Sequence, residues 1–471
     1  MARSLPRLVV CVDFGSTFTK VALVETGPGR LLGTAQRPTS LATDVLDGYE
    51  AARAELVADH PDAAKAPVLA CSSAGGGLRI AVVGNEELVT AEAGRRVALS
   101  SGGKVVAVLA GGLDENRLTE LRAAAPDVVL LVGGTDGGNS AQLLGDARVL
   151  AAARWSGPVV VAGDIEAREE VAGLLAAAGT PYRLADNVVP RIGVLAPETA
   201  RAAIREVFLA HVIGGKDLSR SPDFAAMVLG ATPDVVLTGV ELLAAVHGSS
   251  QPGSGVVVVD VGGATTDVHS VVVLDPEEAV LAREVVALTP VTRTVEGDLG
   301  MRWSAVSTAQ AAIEAGLAGA DLLAVAERRA ADPTLLPADE SSGQEDLRLA
   351  GAAAVLAVRR HVGRSRVVLS PEGRVVERSG KNLRAVDLLV ASGGVFRAAP
   401  AGAATAVLAA ATGPDPDGWQ YPEAPTVLVD TSSVLAAAGL LALHRGDHDA
   451  AETARRLIWN TVAPMNEVST W

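Results

Sequence analysis

The same short pattern occurs twice in this chain, about half its length apart. VVCVDFGSTFTKVALV surrounds Asp13, and VVVVDVGGATTDVHSV surrounds Asp260. Each copy is a run of apolar, mostly β-branched residues that ends in Asp, followed by a glycine, by hydroxyl residues and by a second apolar run. Such a pattern predicts a β-hairpin whose tight bend lies at the glycine. The chain is therefore predicted to contain two equivalent hairpins, one in each of two lobes.

The bend of each hairpin offers groups that bind phosphate. Aligning Asp13 with Asp260 places Gly15 on Gly262, and a glycine lets main-chain N–H groups approach an anion with no side chain in the way. Hydroxyl residues and a further glycine line the two bends: Ser16, Thr17, Gly263, Thr265 and Thr266. Two such bends can hold the two sides of one polyphosphate. The duplication therefore predicts a nucleotide clamp.

Carboxylates at the two bends predict a magnesium ion. Asp13 and Asp260, from opposing lobes, would face one Mg²⁺ through its waters, because Mg²⁺ gives up its water ligands reluctantly. Asp267 would extend that shell. Lys20, in the returning strand of the first hairpin, can reach phosphate or can be a solvated strand residue. If the bends bind nothing, their hydroxyl residues serve only the turns.

The composition is that of a folded α/β protein without a basic surface. Hydrophobic residues make up 49% of the 471 residues and aromatic residues 3%, so Ala, Val and Leu must build the core. The net charge of −15 argues against nucleic-acid and anionic-membrane partners, which bind basic surfaces. No apolar run approaches the roughly 20 residues of a membrane-spanning helix. Because the N-terminus runs directly into the first strand, we expect a cytoplasmic protein without a signal peptide.

Strand and helix patterns alternate along most of the chain, which predicts a mostly parallel sheet with helices on its faces. The Gly-, Ser- and Pro-rich segment HGSSQPGSG, residues 247–255, predicts a domain boundary. We therefore expect a first lobe at 1–250, with an inserted α/β segment, and a second lobe at 251–471, with a helical insertion at about 297–385. Near the end, TSSVLAAAGLLALHRGD predicts a helix with Thr431 or Ser432 as its N-cap.

The two hairpins resemble those of the actin, heat-shock chaperone and sugar kinase superfamily of ATPases. The resemblance implies a duplicated actin-like (ribonuclease H-like) α/β fold with inserted subdomains that closes on ATP, with Asp13 in a phosphate-1 hairpin and Asp260 in a phosphate-2 hairpin. It also implies an adenosine motif near the C-terminus, which LLVASGGVFRAAP fits. There Gly393 and Gly394 would let the adenosine lie close to the backbone, and Arg397 would stack on the base.

Within that superfamily, the chain is similar over its whole length to the glutamate mutase accessory proteins (the GlmL or MutL type, unrelated to mismatch repair). The similarity is carried by CSSAGGGLR, LVGGTDGGN, DNVVPRIG, DVGGATTDVHS and RTVEGDLGMR. It implies an ATP-driven reactivating chaperone whose protein partner is an adenosylcobalamin-dependent mutase, of the glutamate mutase or aminomutase type. ATP and Mg²⁺ are then the expected ligands, with Asp13, Asp260 and Asp267 as the catalytic carboxylates.

The resemblance also gives a role to RTVEGDLGMR. In heat-shock chaperones the equivalent segment opens a helix beside the ribose, so Glu296, Gly297 and Asp298 become candidates for ribose or base contacts. The alternative is a helix N-terminus whose acidic residues are favoured by the helix dipole. LVGGTDGGN is either a counterpart of the adenosine motif or a close-packed turn. CSSAGGGLR shows no chemistry that we can derive from its residues.

Other functions remain open at this stage. A small-molecule kinase on the same fold needs a general base, for which Asp136 and Asp164 at strand ends are the available carboxylates. An actin-like scaffold or filament protein needs only nucleotide binding, and the possibility of a homodimer is open. An iron–sulfur activator is disfavoured because Cys11 lies inside the first strand. With only one other cysteine, Cys71, the chain is expected to contain buried thiols rather than disulfides.

Overall fold

The computed structural model describes residues 5–74, 77–213, 218–275, 289–370, 373–444 and 448–462. They form two compact units. The first consists of the described residues of Met1–Ala74, Val235–Arg283 and Pro290–Trp471, and the second of those of Gly75–Asp234 and Glu284–Thr289. No boundary between these units lies at residue 250, and both hairpins belong to the first unit. The division into lobes 1–250 and 251–471 stays a prediction.

The bounds of the regular elements are as follows. The strands are β1 Leu8–Phe14, β2 Phe18–Glu25, β3 Arg30–Pro38, β4 Val68–Ser72, β5 Leu78–Gly84, β6 Gly103–Ala110, β7 Val128–Leu131, β8 Val159–Val161, β9 Tyr182–Leu184, β10 Val228–Ala231, β11 Gly255–Val261, β12 Thr266–Val272, β13 Val291–Glu296, β14 Arg364–Ser370, β15 Gly373–Ser379, β16 Leu388–Ser392 and β17 Thr426–Val429. The α-helices are α1 Val45–Asp59, α2 Glu92–Ser100, α3 Glu115–Ala123, α4 Ala141–Ala152, α5 Arg168–Ala178, α6 Glu198–Val207, α7 Pro222–Met227, α8 Thr232–His247, α9 Ala305–Glu314, α10 Asp321–Ala331, α11 Glu340–His361, α12 Gly394–Ala398, α13 Ala403–Leu408, α14 Val434–Leu443 and α15 His448–Thr461.

The first hairpin lies in a sheet whose strands run β3-β2-β1-β4 within the first unit. β1 pairs antiparallel with β2 and parallel with β4. Its VVCV run is buried on both faces, as expected of a strand covered from two sides. The antiparallel register places Asp13 opposite Lys20. Cys11 and Cys71 are both buried thiols, as predicted.

The second hairpin lies in a sheet with the order β13-β12-β11-β16-β17. β11 pairs antiparallel with β12 and parallel with β16, so strand order and direction repeat those around β1. Here the register places Asp260 opposite Asp267 on one side and beside Ser392 on the other. The repeated topology confirms the predicted fold class, a duplicated α/β fold of the actin-like ATPase type.

Two helices of the first unit cross at a pair of glycines. A Cβ on Gly239 of α8 would overlap the carbonyl oxygen of Leu435, and a Cβ on Gly439 of α14 would overlap that of Val235. The backbones of α8 and α14 therefore touch with no side chain between them. α14 also contacts β1 and β4.

The second unit is built around a parallel sheet with the order β6-β5-β7-β8-β9, as its alternating pattern predicted. The loop of LVGGTDGGN follows β7 and is tied to its neighbours. Asp164 Oδ1 accepts hydrogen bonds from the N–H groups of Gly137 and Glu166, and Asp136 Oδ1 accepts one from Asn187 Nδ2 (2.8 Å). These contacts are those of a close-packed turn. Residues 75 and 76 of CSSAGGGLR lie outside the described residues.

Among the residues that the structure describes, no helix is both long and apolar enough to cross a lipid bilayer.

Candidate nucleotide site

The two hairpin bends have the same local geometry. The N–H of Gly15 donates to the carbonyl of Phe18, and that of Gly262 donates to the carbonyl of Thr265. A Cβ would lie 2.6 Å from the Phe18 oxygen at the first bend and 2.9 Å from the Thr265 oxygen at the second. Both bends therefore require glycine, as the sequence pattern predicted.

The two bends also face each other. A Cβ on Gly263 would be 2.6 Å from Thr17 Oγ1, which belongs to the other hairpin. Thr17 Oγ1 is buried and has no hydrogen-bond partner, and Thr266 Oγ1 shares that condition. Buried hydroxyl groups normally have a partner. A ligand with acceptor oxygens, held between the bends, would supply one for Thr17.

Asp13 and Lys20 form an ion pair at the first bend. Lys20 Nζ lies 3.5 Å from Asp13 Oδ2, and Lys20 keeps 31% of its side chain exposed. The thiol of Cys71, on β4, donates a weak hydrogen bond to Asp13 Oδ1 at 3.6 Å. Lys20 is thus a partly exposed cation beside a buried carboxylate, in a position to contact an anion.

Asp260 lies within electrostatic reach of the same groups. Loss of contact with water raises the pKa of its carboxyl, Lys20 lowers that pKa, and the carboxylates of Asp267 and Asp13 raise it again. A hydrogen bond from Ser392 lowers it. The structure therefore brings Asp13, Lys20 and Asp260 together although half the chain separates them.

Asp267 has its own internal counter-ion. Arg293 of β13, whose side chain is 2% exposed, places Nε 3.1 Å and Nη2 2.5 Å from Asp267 Oδ1. Thr265 Oγ1 donates to the other oxygen at 3.1 Å. Arg293 therefore compensates the charge of Asp267 inside the protein, as Lys20 compensates that of Asp13.

The strand, glycine and helix element of the adenosine motif forms as predicted, but its arginine has other partners. Gly393 has φ +121°, and a Cβ there would overlap the carbonyl oxygen of Val261. Gly394 begins α12. Arg397 donates from Nη2 to Gln36 Oε1 (2.9 Å) and from Nη1 to Ser433 Oγ. Its guanidinium thus links α12 to β3 and to the start of α14.

Asp430 is a buried carboxylate that the sequence patterns did not reveal. It follows β17 directly, and its Oδ1 accepts a hydrogen bond from the N–H of Val434 (3.0 Å). Burial raises its pKa, whereas the N–H groups at the start of α14, Arg397 and Lys20 lower it. The predicted N-cap at Thr431 or Ser432 is wrong: α14 begins at Val434, and Asp430 provides the capping oxygen. An Asp ahead of two or three hydroxyl residues and an apolar run was the available pattern.

The segment RTVEGDLGMR is not the start of a helix, which corrects the prediction. Its first part is β13, which ends at Glu296, and α9 begins at Ala305. Pairing with β12 fixes β13 as a strand and overrides the acidic pattern that suggested a helix start. Arg360 of α11 donates to Glu296 Oε2 (2.8 Å) and to Asp298 Oδ1 (2.6 Å). Gly297 lies between these two carboxylates in the turn.

The candidate carboxylates of the kinase hypothesis are already engaged in the second unit. Asp136 Oδ1 accepts from the N–H of Ile165 (3.2 Å) as well as from Asn187. Asp164 accepts from two main-chain N–H groups. Both side chains hold loops together, which disfavours either as a general base.

The residues at the bends fit hydrated magnesium. Within the described ranges, no three Asp, Glu, His or Cys side chains form a cluster that could cage a metal directly. Asp13 instead pairs with Lys20, and the charge of Lys20 also lowers the pKa of Asp260 and of Asp430, so all three carboxylates lie within its electrostatic reach. Excess negative charge without a direct cage suits an ion that retains most of its hydration shell.

Comparison with known proteins gives the family. A family model described as "MutL protein" matches residues 9–457. The chain belongs to the MutL protein family. The predicted resemblance to the glutamate mutase accessory proteins is thereby confirmed. Protein MutL of Clostridium tetanomorphum is 33% identical over 440 residues, which cover 92% of this chain and 95% of that protein.

Solved structures similar to this MutL family member are distant. Ligand-bound xylulose kinase from Lactobacillus acidophilus is 11% identical, with 95% of this chain and 92% of that chain covered and a TM-score of 0.33. Ethanolamine utilization protein EutJ from Carboxydothermus hydrogenoformans is 12% identical, with 94% and 92% covered and a TM-score of 0.27. The family assignment rests on the sequence match alone.

Proposed function

We propose that this protein is a Mg²⁺-dependent ATPase that serves as a cytoplasmic accessory and reactivating chaperone for an adenosylcobalamin-dependent mutase of the glutamate mutase or aminomutase type. The observation that carries the ATP-binding part is the contact between the two bends, where Thr17 of one hairpin lies against Gly263 of the other. Membership of the MutL family supports the mutase as partner.

The two bends would bind the phosphates from both sides. Main-chain N–H groups at the bends and the hydroxyl groups of Ser16 and Thr17 would be the donors, and Lys20 would add positive charge. Thr265 would donate only after its hydroxyl group leaves Asp267. Bound Mg²⁺, held through water by Asp13 and Asp260, supplies charge neutralisation at the transferred phosphoryl group. Through those waters, Asp13 or Asp260 would orient the water that attacks the phosphoryl group.

The nucleotide base and ribose would lie near the adenosine motif. Gly393 and Gly394 keep side chains away from that surface, and Glu296 and Gly297 are candidates for the ribose. Arg397 would contact the base only after leaving Gln36 and Ser433.

ATP would drive reactivation by favouring one arrangement of the two lobes. A ligand shifts such an equilibrium only by its difference in affinity for the two states. A cobalamin mutase that has lost its upper ligand retains damaged cofactor, and a change of lobe arrangement in the bound chaperone would let that cofactor exchange.

Two measurements test the proposal. ATP hydrolysis by the purified protein should require Mg²⁺ and no added acceptor, and Asp260→Asn should lower the rate by about 100-fold or more, whereas the exposed Asp62→Asn should leave it unchanged. Glutamate mutase inactivated by turnover should regain activity when this protein, ATP and fresh cofactor are added. Absence of Mg²⁺-dependent ATP hydrolysis would refute the ATPase, and hydrolysis without reactivation would refute the mutase partner.

A further inference from the structure

Three large apolar side chains are exposed on one part of the first unit. Trp303 is 62% exposed, Leu336 58% and Leu335 38%. The two leucines belong to the loop between α10 and α11, and Arg302 Nη2 donates to the carbonyl oxygen of Leu335 at 3.1 Å. That hydrogen bond ties the loop to the residue that precedes Trp303 in the chain. We call these three residues the tryptophan patch.

Exposed carboxylates accompany the two leucines of the tryptophan patch. Asp332, Asp339 and Glu340 are exposed in the same loop and at the start of α11. Hydrogen bonds from Thr334 lower the pKa of Asp332, and those from Ser342 lower the pKa of Asp339, so both stay ionised at neutral pH. An apolar centre with a charged rim is the usual anatomy of a protein interface, and this rim is negative.

The tryptophan patch is attached to the phosphate-2 bend. The N–H groups of Met301, Arg302 and Trp303 donate to the carbonyl oxygens of residues 262 and 263 at 2.8–3.0 Å. Ser304 Oγ donates to the carbonyl of Ala264 at 2.7 Å. Arg302 is itself buried and held by Asp346 at 3.0 Å. These hydrogen bonds connect the backbone of Trp303 directly to the bend.

We propose that the tryptophan patch is a docking surface for a basic, apolar segment of a partner protein. Apolar side chains of that segment would cover Trp303 and Leu336, and its Lys or Arg side chains would pair with the acidic rim. Large exposed aromatic residues are frequent energetic centres of interfaces, and opposite charges at the rim select the partner. Because the bend belongs to the proposed ATP site, the position of the docking surface would depend on the nucleotide; that coupling rests on the proposed function, and the docking itself does not.

A peptide titration on the full chain, without nucleotide, tests the docking surface. The probe is a fluorescein-labelled amphipathic helical peptide of leucine and lysine, and its affinity is measured by fluorescence anisotropy. Trp303→Ala and Leu336→Ser should each weaken binding by about tenfold or more. Trp459→Ala, which removes a similarly exposed tryptophan from α15, should change the affinity less than about twofold.

One further peptide and one further variant distinguish charge pairing from non-specific apolar adhesion. A peptide with glutamate in place of lysine should not bind, and Glu340→Gln should weaken the lysine peptide modestly and less so at high salt. Thermal melts check whether Trp303→Ala is folded. If it is not, the affinity of Leu336→Ser for the peptide tests the tryptophan patch instead. Equal binding of the glutamate peptide, or unchanged affinity in both patch variants, would overturn the inference. ATP hydrolysis is measured separately, so its absence would count only against the proposed function.

Discussion

The hydroxyl group of Thr17 lies against the backbone of Gly263, in the bend of the other hairpin. There is room for it only because residue 263 has no side chain: a Cβ would be 2.6 Å from Thr17 Oγ1. The two repeats of the sequence thus meet at their bends. One nucleotide site built from both is the proposed consequence.

Gly263→Ala tests that contact. The added methyl group would displace Thr17 or push the bends apart, and we expect ATP affinity to fall by about tenfold or more, since overpacking of a close contact costs about 1–3 kcal/mol. Calorimetric titration with Mg·ATP measures the change. Gly343→Ala, in α11 with nothing within 4 Å of the added methyl group, is the matched control and should bind ATP normally. Normal ATP binding by Gly263→Ala would show that the bends do not form the site.

Lys20→Met tests the balance of charge between the bends. Without Lys20, the carboxylates of Asp13, Asp260 and Asp430 have lost their shared cation, so the free energy of unfolding should fall by about 1–3 kcal/mol. Added Mg²⁺ should then stabilise the variant more than it stabilises the unmodified protein. Thermal melts in MgCl₂ and in NaCl of equal ionic strength measure this, with the exposed Lys65→Met as control. Equal responses to the two salts would contradict the prediction.

Asp260→Asn should raise the stability of the nucleotide-free protein at neutral pH. The pKa of Asp260 is raised in the folded state, so the folded chain binds more protons than the unfolded chain as the pH rises above the ordinary value near 3.8. Stability due to this group therefore falls with rising pH through that window and stays low above it. Urea titrations from about pH 4 to about pH 8 should show the gain of Asp260→Asn increasing with pH. A gain that is largest at the acidic end would have the wrong sign.

His269 should have the opposite dependence. It is buried beside Arg293, and burial lowers its pKa to about 3. The unfolded chain binds more protons than the folded one between about pH 3 and pH 6.5, so the stability is present above 6.5 and lost on acidification through that window. His269→Gln should flatten this part of the stability profile, whereas the exposed His211→Gln should not. A histidine NMR titration that placed the pKa of His269 near 6.5 would refute the assignment.

Because the backbones of α8 and α14 touch where they cross, a single added methyl group at the crossing should lower the free energy of unfolding substantially. In Gly239→Ala or Gly439→Ala the new methyl group would overlap a carbonyl oxygen of the other helix. We expect the free energy of unfolding to fall by about 1–3 kcal/mol or more in each variant. Gly173→Ala, in α5 with nothing within 4 Å of the added atom, should be neutral or stabilising. Denaturant titrations compare the three, and equal stability would contradict the close crossing.

Local pattern sufficed for the hairpins and their glycines. An apolar run that ends in Asp and Gly, followed by a second apolar run, is compatible with few structures other than a β-hairpin. A repeat of that pattern implies a repeat of the fold. The antiparallel register that sets Lys20 opposite Asp13 follows from the length of the bend. The α/β class followed from the alternation of elements.

Partners that are distant in sequence could not be predicted in this way. Nothing in the sequence distinguishes Arg293 from the other arginines. Its contact with Asp267 arises only because β13 pairs with β12. Asp430 could not be assigned to the candidate site from the sequence, because only the fold brings it within electrostatic reach of Lys20. The failed helix at RTVEGDLGMR has the same cause: its acidic residues suit a helix start, but an available strand edge decides the conformation.

The bond between the N–H of Trp303 and the carbonyl oxygen of Gly263 has a practical consequence. The indole of Trp303 is exposed to solvent, and the backbone of the same residue is hydrogen-bonded to the bend. Trp303 is therefore an intrinsic fluorescent probe of the bend. With the other four tryptophans replaced by phenylalanine, the fluorescence emission of Trp303 should report in real time whether the proposed phosphate site is filled, with no dye attached.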